Sequence, residues 1–295
     1  MVAQATAKEC ADFAARAGSV MSDPETRTVT VNGHDMRVLS KGQGETIGFL
    51  AGLAGVPRWT PFLDLLAEQY RVVVPSLPGF PGALGHEDLD HLIDWLAATL
   101  DLLEAAGLEG CNIVGSSVGA MLALEIAAMS PQSVGRLALM SPLGLHDDRE
   151  PIPHIWARRA VDLPSYLCSH TETLVALQTA PEGADAVEWS LSIARATSAG
   201  ARLMWPMCEL GLAKRLHRVR QPTLLIWGGK DRILGPLYES LFKEALKCPL
   251  ESIRLADAGH LIDIDEPGQA VALVSSFLSK EHRTHETAQR ASVPA

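Results

Sequence analysis

The sequence predicts an α/β fold, in which a mostly parallel β-sheet is covered by helices on both of its faces. The first observation behind this prediction is an alternation of short apolar strands and amphipathic helices that starts at about residue 26. The second is the loss of this alternation over residues 144–219, which are helical in character, and the third is the return of strands at residue 222. Helical residues inserted between two strands predict a cap above the carboxyl ends of the strands, where such sheets bind their substrates.

The sheet is predicted to begin with a hairpin. Residues 26–33 and 36–42 are strand-like, and Asn32-Gly33 is a strong signal for a two-residue turn. The other predicted strands are apolar runs, most of which end at glycine or proline: 46–52, 70–80, 111–115, 134–142, 222–229 and 251–259. The predicted helices have apolar residues at helical spacing: 59–69, 89–107, 118–131 and 266–280.

These elements divide the chain into a core and its additions. We expect an α/β core formed by residues 26–143 and 220–280, with a helical cap at 144–219 between these two segments. We also expect an N-terminal extension at 1–25 and a disordered polar tail at 281–295. Charged residues interrupt the apolar run of the extension, which therefore resembles a short amphipathic helix rather than a signal peptide.

The composition excludes several classes of function. Hydrophobic residues make up 47% and charged residues 20% of the chain, as in a globular protein with a large core. A formal net charge of −10 argues against a nucleic-acid binder, and the five scattered cysteines without a CxxC pair argue against a disulfide framework or a zinc site. No apolar stretch is long enough to span a membrane. We therefore expect a cytoplasmic protein that acts on a small molecule, with neither nucleic acid nor a membrane as partner; a homodimer is compatible with these features.

The pentapeptide Gly115-Ser116-Ser117-Val118-Gly119 matches the G-x-S-x-G pattern of a nucleophile elbow. The pattern alone is weak, but a predicted strand precedes it and a predicted helix follows it, as an elbow requires. Glycines leave room where strand and helix crowd together, and the helix dipole favours negative charge at the serine oxygen. The alternative is a tight turn of a nucleotide-binding fold, but the further glycine or lysine of a phosphate loop is missing. Ser117 is thus the predicted nucleophile.

A serine nucleophile needs a base, and the base needs an acid that orients it. His260 follows the last predicted strand, so it is expected on a loop at the carboxyl edge of the sheet, whereas the other histidines are interpreted as surface or cap residues. Asp231 lies just past the preceding strand and is the predicted acid. Asp147 and Asp148 are its competitors, because they also follow a strand.

The chain order Ser117, Asp231, His260 is that of the α/β hydrolases. Together with four motifs, this order makes the sequence resemble the α/β-hydrolase family over about residues 26–280: SLPGFPG at 76–82, GSSVG at 115–119, PTLLIWGGKDRI at 222–233 and AGHLIDIDEP at 258–267. The resemblance implies an α/β-hydrolase fold, with a mostly parallel eight-stranded sheet flanked by helices and an inserted helical cap. It also implies a Ser-His-Asp triad that needs no metal ion or organic cofactor.

The resemblance further implies an oxyanion hole made of two backbone N–H groups. One belongs to Val118, directly after the nucleophile, and the other to Leu53, in the loop after the third strand. The family usually has His-Gly in this loop, but here the pair is Ala51-Gly52. A backbone donor does not depend on that side chain, yet the histidine that would brace the loop is absent.

The predicted cap contains three aromatic residues that are candidates for an apolar substrate pocket over the nucleophile: Trp156, Tyr166 and Trp205. The alternative is that they pack the cap onto the core. The predicted function is hydrolysis of a small or medium apolar substrate, most simply a carboxylic ester. A C–C bond hydrolase of the meta-cleavage type stays open, because residues 137–145 are similar to those enzymes, although Leu261 replaces their usual tryptophan. A lyase or cofactor-free oxygenase with the same triad, or a ligand-binding receptor, also stays open.

Overall fold

The computed structural model describes residues 23–205 and 210–280. The helix expected at 1–21 and the disordered tail expected at 281–295 lie outside the described residues. Within them, no helix is long and apolar enough to cross a lipid bilayer.

An eight-stranded sheet forms the centre of the molecule, in the order β1-β2-β4-β3-β5-β6-β7-β8. The second strand is antiparallel to both of its neighbours, and all other pairs are parallel, so the predicted mostly parallel sheet is confirmed. The strands are β1 Glu25–Val31, β2 His34–Lys41, β3 Thr46–Leu50, β4 Arg71–Pro75, β5 Asn112–Ser116, β6 Leu137–Met140, β7 Thr223–Gly228 and β8 Leu250–Leu255.

The predicted hairpin joins β1 to β2. Asn32 and Gly33 have φ values of 53° and 81°, and Val31 pairs with His34 across the turn. Two consecutive left-handed residues match the right-handed twist of the flanking strands, which explains why Asn-Gly is favoured at this position.

The described residues form nine α-helices. They are α1 Pro61–Ala67, α2 Leu92–Ala106, α3 Ser117–Met129, α4 Leu163–Leu167, α5 Thr171–Gln178, α6 Ala186–Leu203, α7 Pro236–Ala245, α8 Ile262–Asp265 and α9 Pro267–Leu278. Three of these, α4, α5 and α6, lie in the insertion between β6 and β7, which is called the cap below. Between β6 and β7, the described residues form α4, α5, α6 and short 3₁₀ turns, with no strand. The helix predicted at 266–280 is confirmed as α9, whereas sequence analysis did not predict α7 or the short α8.

The hydrophobic core has two layers, one on each face of the sheet. Helix α3 lies in the first layer, and its residues from Ser117 to Ala128 are all buried. Helices α1 and α9 pack together in the second layer, where Phe62 stacks against Phe49 with ring centroids 5.5 Å apart. A helix that is apolar on all sides, such as α3, belongs at the centre of a fold, and this position holds its first residue, Ser117, rigidly at the carboxyl edge of the sheet.

Candidate active site

Ser117 stands on a sharp turn between β5 and α3. Its φ of 53° is in the left-handed region, which is rare for a residue with a side chain and is concentrated at functional sites. The flanking glycines have the role that the sequence pattern indicated. A Cβ atom on Gly115 would lie 2.8 Å from Cα of Ala120, and one on Gly119 would lie 2.6 Å from the carbonyl oxygen of Ala51.

Replacement of Gly119 by alanine is therefore expected to destabilise the protein by about 3 kcal/mol, because the new methyl group meets rigid backbone on β3 and its following loop. The expected result is a lower midpoint of thermal unfolding, measured by calorimetry. Gly268→Ala is the matched control, since no atom lies within 4 Å of a Cβ built there. Equal midpoints for the two variants would contradict the crowded elbow.

Ser117, His260 and Asp231 form a continuous chain of hydrogen bonds. Oγ of Ser117 lies 2.7 Å from Nε2 of His260, and Nδ1 of His260 lies 2.9 Å from Oδ2 of Asp231. An ionised carboxylate can only accept, so Nδ1 carries the proton and Nε2 is free to accept the proton of Ser117. The structure thus brings the three predicted residues together in the arrangement that general-base activation of a serine requires.

The environment of Asp231 keeps its carboxylate ionised. Burial by itself raises its pKa, but the charge and hydrogen bond of His260 and the backbone N–H groups of Leu234 and Ile233 outweigh burial, so the pKa lies below its ordinary value. These N–H groups donate to Oδ1 at 3.0 and 2.8 Å, which leaves Oδ2 for the histidine.

The two competing acids lie elsewhere. Asp147 is held by Arg149 at 2.7 Å, and the Arg149 hydrogen bond lowers its pKa to about 2. Asp148 is fully exposed and lies 3.2 Å from His146. Neither carboxylate is bonded to His260, whereas Asp231 is.

The loop that carries His260 is tied to the cap. The buried carboxylate of Asp265 accepts the backbone N–H groups of Gly259 at 2.6 Å, Ser169 at 2.8 Å and His170 at 2.9 Å. The N–H of Leu261 donates to the carbonyl oxygen of Leu167 in α4. Sequence analysis missed this role of Asp265, because a carboxylate that binds backbone groups of a distant segment leaves no local pattern.

The loop after β3 lies against the nucleophile. A Cβ atom on Gly52 would be 3.2 Å from Cβ of Ser117, so the backbone of this loop passes directly beside the elbow. Leu53 follows Gly52, and Val118 is the second residue of α3, where N–H groups have no partner within the helix. The predicted oxyanion donors therefore belong to two segments that meet at Ser117.

Arg37 supports the far end of this loop. Its guanidinium donates to the carbonyl oxygens of Val56, Pro57 and Pro81, the latter two at 3.3 and 2.8 Å. Arg37 lies on β2, and nothing in the local sequence connects it with the loop after β3. In this chain, which has Ala51 where the family usually has histidine, a half-buried arginine thus holds the far end of the loop.

A small apolar cavity of about 90 Å³ lies between the loop after β3 and the cap. Leu53 and Trp156 line it, and the polar lining residues are Gln178 and Thr197. The structure places only the first of the three predicted aromatic residues here. Tyr166 lies instead under the guanidinium of Arg158, 5.3 Å from the ring centroid.

Trp205 is the third predicted pocket residue. It lies two residues beyond the end of α6, with 67% of its surface exposed, and it does not line this cavity. The sequence could not separate the three aromatic residues, because all of them lie in short helical segments whose orientation is determined by contacts with the core.

The three residues of the hydrogen-bonded chain are closed off from solvent. Ser117 and His260 have 0% exposed surface, and the side chain of Asp231 has 1%. The side chain of Leu53 packs against Gly200 of α6, where an added Cβ would lie 3.1 Å from Leu53 Cδ2. The cap thus touches both the loop that carries His260 and the loop after β3, and Ser117 is covered in this structure.

The sequence and the fold of the chain are similar to those of known proteins. The chain is 28% identical to a dihydrolipoyllysine-residue acetyltransferase component of the acetoin cleaving system from Cupriavidus necator, over 84% of this chain and 67% of that protein. It is 23% identical to a 2-hydroxy-6-oxo-2,4-heptadienoate hydrolase from Pseudomonas putida, over 86% and 96%. The structure of a bacterial membrane phospholipase A superposes with a TM-score of 0.70 at 22% identity, over 91% of each chain.

A family model covers most of the region that holds the sheet, the elbow and the cap. It matches residues 49–273, which include Ser117, Asp231 and His260. The topology of the sheet agrees with this match, as do the solved structures of α/β hydrolases that superpose on the chain. The protein therefore belongs to the alpha/beta hydrolase family.

Proposed function

We propose that the protein is a serine hydrolase that cleaves a small or medium apolar carboxylic ester with Ser117, His260 and Asp231. The observation that carries this proposal is the pair of hydrogen bonds of 2.7 and 2.9 Å that links the three side chains in a site closed to water. Exclusion of bulk water strengthens electrostatic interactions within the site.

In the proposed reaction, Oγ of Ser117 attacks the ester carbonyl carbon while Nε2 of His260 takes its proton. Asp231 stabilises the imidazolium that forms. The N–H groups of Leu53 and Val118 donate hydrogen bonds to the negatively charged carbonyl oxygen. By analogy with measured oxyanion donors, each stabilises the transition state by about 3 kcal/mol. His260 then gives its proton to the leaving alcohol. In the second half of the reaction, Nε2 of His260 takes a proton from a water molecule as the water oxygen attacks the acyl carbonyl carbon. The bond between the acyl carbon and Oγ of Ser117 then breaks, His260 returns the proton to Oγ, and the carboxylic acid leaves.

The cavity next to Leu53 supports a short acyl group. Its volume is about 90 Å³. A cavity of about 150 Å³ lined by apolar side chains is known to hold benzene, so this one accepts a smaller group while the cap is closed. Its lining is mostly apolar, with Ile155, Leu163 and Leu167 among the contributing residues.

A second candidate function is hydrolysis of a C–C bond next to a ketone. The dienoate hydrolase of Pseudomonas putida is related to this chain over nearly its whole length. The same serine, histidine and aspartate can carry both reactions, because each passes through attack on a carbonyl group.

A panel of substrates separates these candidates. We expect a fluorophosphonate probe to label the protein, and nitrophenyl esters to be hydrolysed with kcat/KM highest for acyl chains of about two to four carbons, the length that a cavity smaller than benzene's accepts. Turnover of a 6-oxo-2,4-dienoate without ester turnover would transfer the assignment to C–C cleavage. A protein that is neither labelled nor active on either class would contradict the hydrolase proposal and favour a receptor.

A further inference from the structure

A second serine beside the nucleophile makes a buried hydrogen bond that the proposed reaction does not use. Oγ of Ser116 donates to Oδ1 of Asp263 at 2.7 Å. Ser116 has 0% and Asp263 has 7% exposed surface, so the pair lies inside the protein. A carboxylate buried in this way is costly unless it is hydrogen-bonded, which indicates that the bond persists in the folded protein.

The two residues belong to the two segments that must meet for proton transfer. Ser116 ends β5 and is covalently joined to Ser117, whereas Asp263 lies in α8, three residues after His260. Although 147 residues separate the partners in the sequence, their hydrogen bond connects the nucleophile elbow directly to the histidine loop. The separation of Ser117 and His260 is therefore set by a short closed loop of contacts, in which the Ser116–Asp263 bond is one link and the Ser117–His260 bond is another.

The same pair also borders the loop that carries the proposed oxyanion donor Leu53. A Cβ atom built on Gly52 would lie 3.1 Å from Oγ of Ser116. Burial raises the pKa of Asp263, although the hydrogen bond from Ser116 opposes this shift.

We propose that Asp263 is a positioning residue. Through its hydrogen bond with Ser116, it fixes the relative positions of the nucleophile elbow, the loop that carries His260 and the loop after β3. This inference rests on the proposed serine hydrolase function. Proton transfer requires donor and acceptor within hydrogen-bond reach, and a displacement of about 1 Å is enough to lower a rate by about 100-fold.

Four variants test the link by steady-state kinetics on the best ester. Ser116→Ala and Asp263→Ala are each expected to lower kcat by about 10- to 100-fold while KM changes by less than about twofold, because the geometry of proton transfer is affected and not the acyl cavity. Asp263→Asn retains an oxygen that accepts from Ser116 and should stay within about threefold of wild-type kcat. The double variant Ser116→Ala/Asp263→Ala should be no slower than the worse single variant, since both changes break one bond.

Ser133→Ala is the matched control. Ser133 is a buried serine whose Oγ lies 2.8 Å from Oγ of Ser130, and it precedes β6, at the opposite edge of the sheet. Its replacement removes a comparable hydroxyl and should leave kcat unchanged. If Ser116→Ala and Asp263→Ala behaved like this control, with a lower unfolding temperature but wild-type kcat, the pair would be merely structural and the proposal would be overturned. Asp263→Asn as slow as Asp263→Ala would also overturn it.

A crystallographic measurement keeps this proposal separate from the proposed function. In Ser116→Ala and Asp263→Ala, the distance between Oγ of Ser117 and Nε2 of His260 is expected to exceed hydrogen-bond reach, whereas in wild type it is 2.7 Å. An unchanged distance in both variants would refute positioning whether or not the protein cleaves esters. Conversely, wild type that lacks ester turnover, with the distance lengthened in the variants, would contradict only the proposed function.

Discussion

Replacement of Ser117 by alanine is expected to lower ester turnover by at least about 1,000-fold and to abolish labelling by a fluorophosphonate probe. The proposed nucleophile is then missing, and what remains of catalysis comes from the oxyanion donors and substrate binding. Ser117 already adopts a left-handed φ of 53°, and alanine can occupy this backbone as serine does, so the unfolding temperature should change little. Turnover and probe labelling on the folded variant are the measurements.

Two controls make this result specific. Ser133→Ala, the buried serine at the opposite edge of the sheet, should retain both labelling and turnover. His260→Ala should be as inactive as Ser117→Ala, and the double variant no worse than either, because residues of a triad act as a unit. Labelling of Ser117→Ala at the wild-type rate would show that another residue reacts with the probe, and the proposed nucleophile would be wrong.

Replacement of Asp231 by asparagine is expected to lower kcat by about 10,000-fold, by analogy with the corresponding change in a serine protease triad. An amide does not hold Nδ1 of His260 as a donor, and it cannot stabilise the imidazolium. Asp148→Asn is the matched control, since its carboxylate is exposed and is not bonded to His260. If Asp231→Asn kept the wild-type kcat and Asp148→Asn lost it, the acid of the triad would be Asp148 and not Asp231.

The stability difference between wild type and Asp231→Asn is also expected to depend on pH. The pKa of Asp231 in the folded protein lies below its ordinary value of 3.8, so its carboxylate stabilises the fold above that pH and loses this contribution as the pH falls through the lowered pKa. The free energy of unfolding of wild type should therefore exceed that of Asp231→Asn at neutral pH, and the difference should shrink below about pH 4. Denaturant titrations at a series of pH values measure it; a difference that grows on acidification would contradict the lowered pKa.

Much of the fold could be predicted, because strands, helices and turns leave local patterns. The predicted ends of the strands were less accurate. The apolar run at 70–80 predicted a strand over all of its length, but β4 ends at Pro75, since the buried residues that follow form a loop at the carboxyl edge of the sheet. Helix α7 was not predicted, although its apolar residues recur at helical spacing: Tyr238 and Phe242 are buried, and Leu241 and Ala245 pack against the same core.

The sequence by itself determined the family resemblance, the position of Ser117 on a strand–helix turn and the order of the three candidate triad residues. Each of these features depends on a short local pattern, such as a serine between a strand and a helix, and can therefore be recognised in the sequence. The tertiary structure alone decided that Asp231 and not Asp148 meets His260, that Trp156 and not Trp205 lies at the apolar cavity, that Arg37 binds backbone of the loop after β3, and that Asp263 bonds to Ser116. Each of these contacts joins segments far apart in sequence, and packing of the whole chain, rather than any local pattern, brings such segments within hydrogen-bond distance.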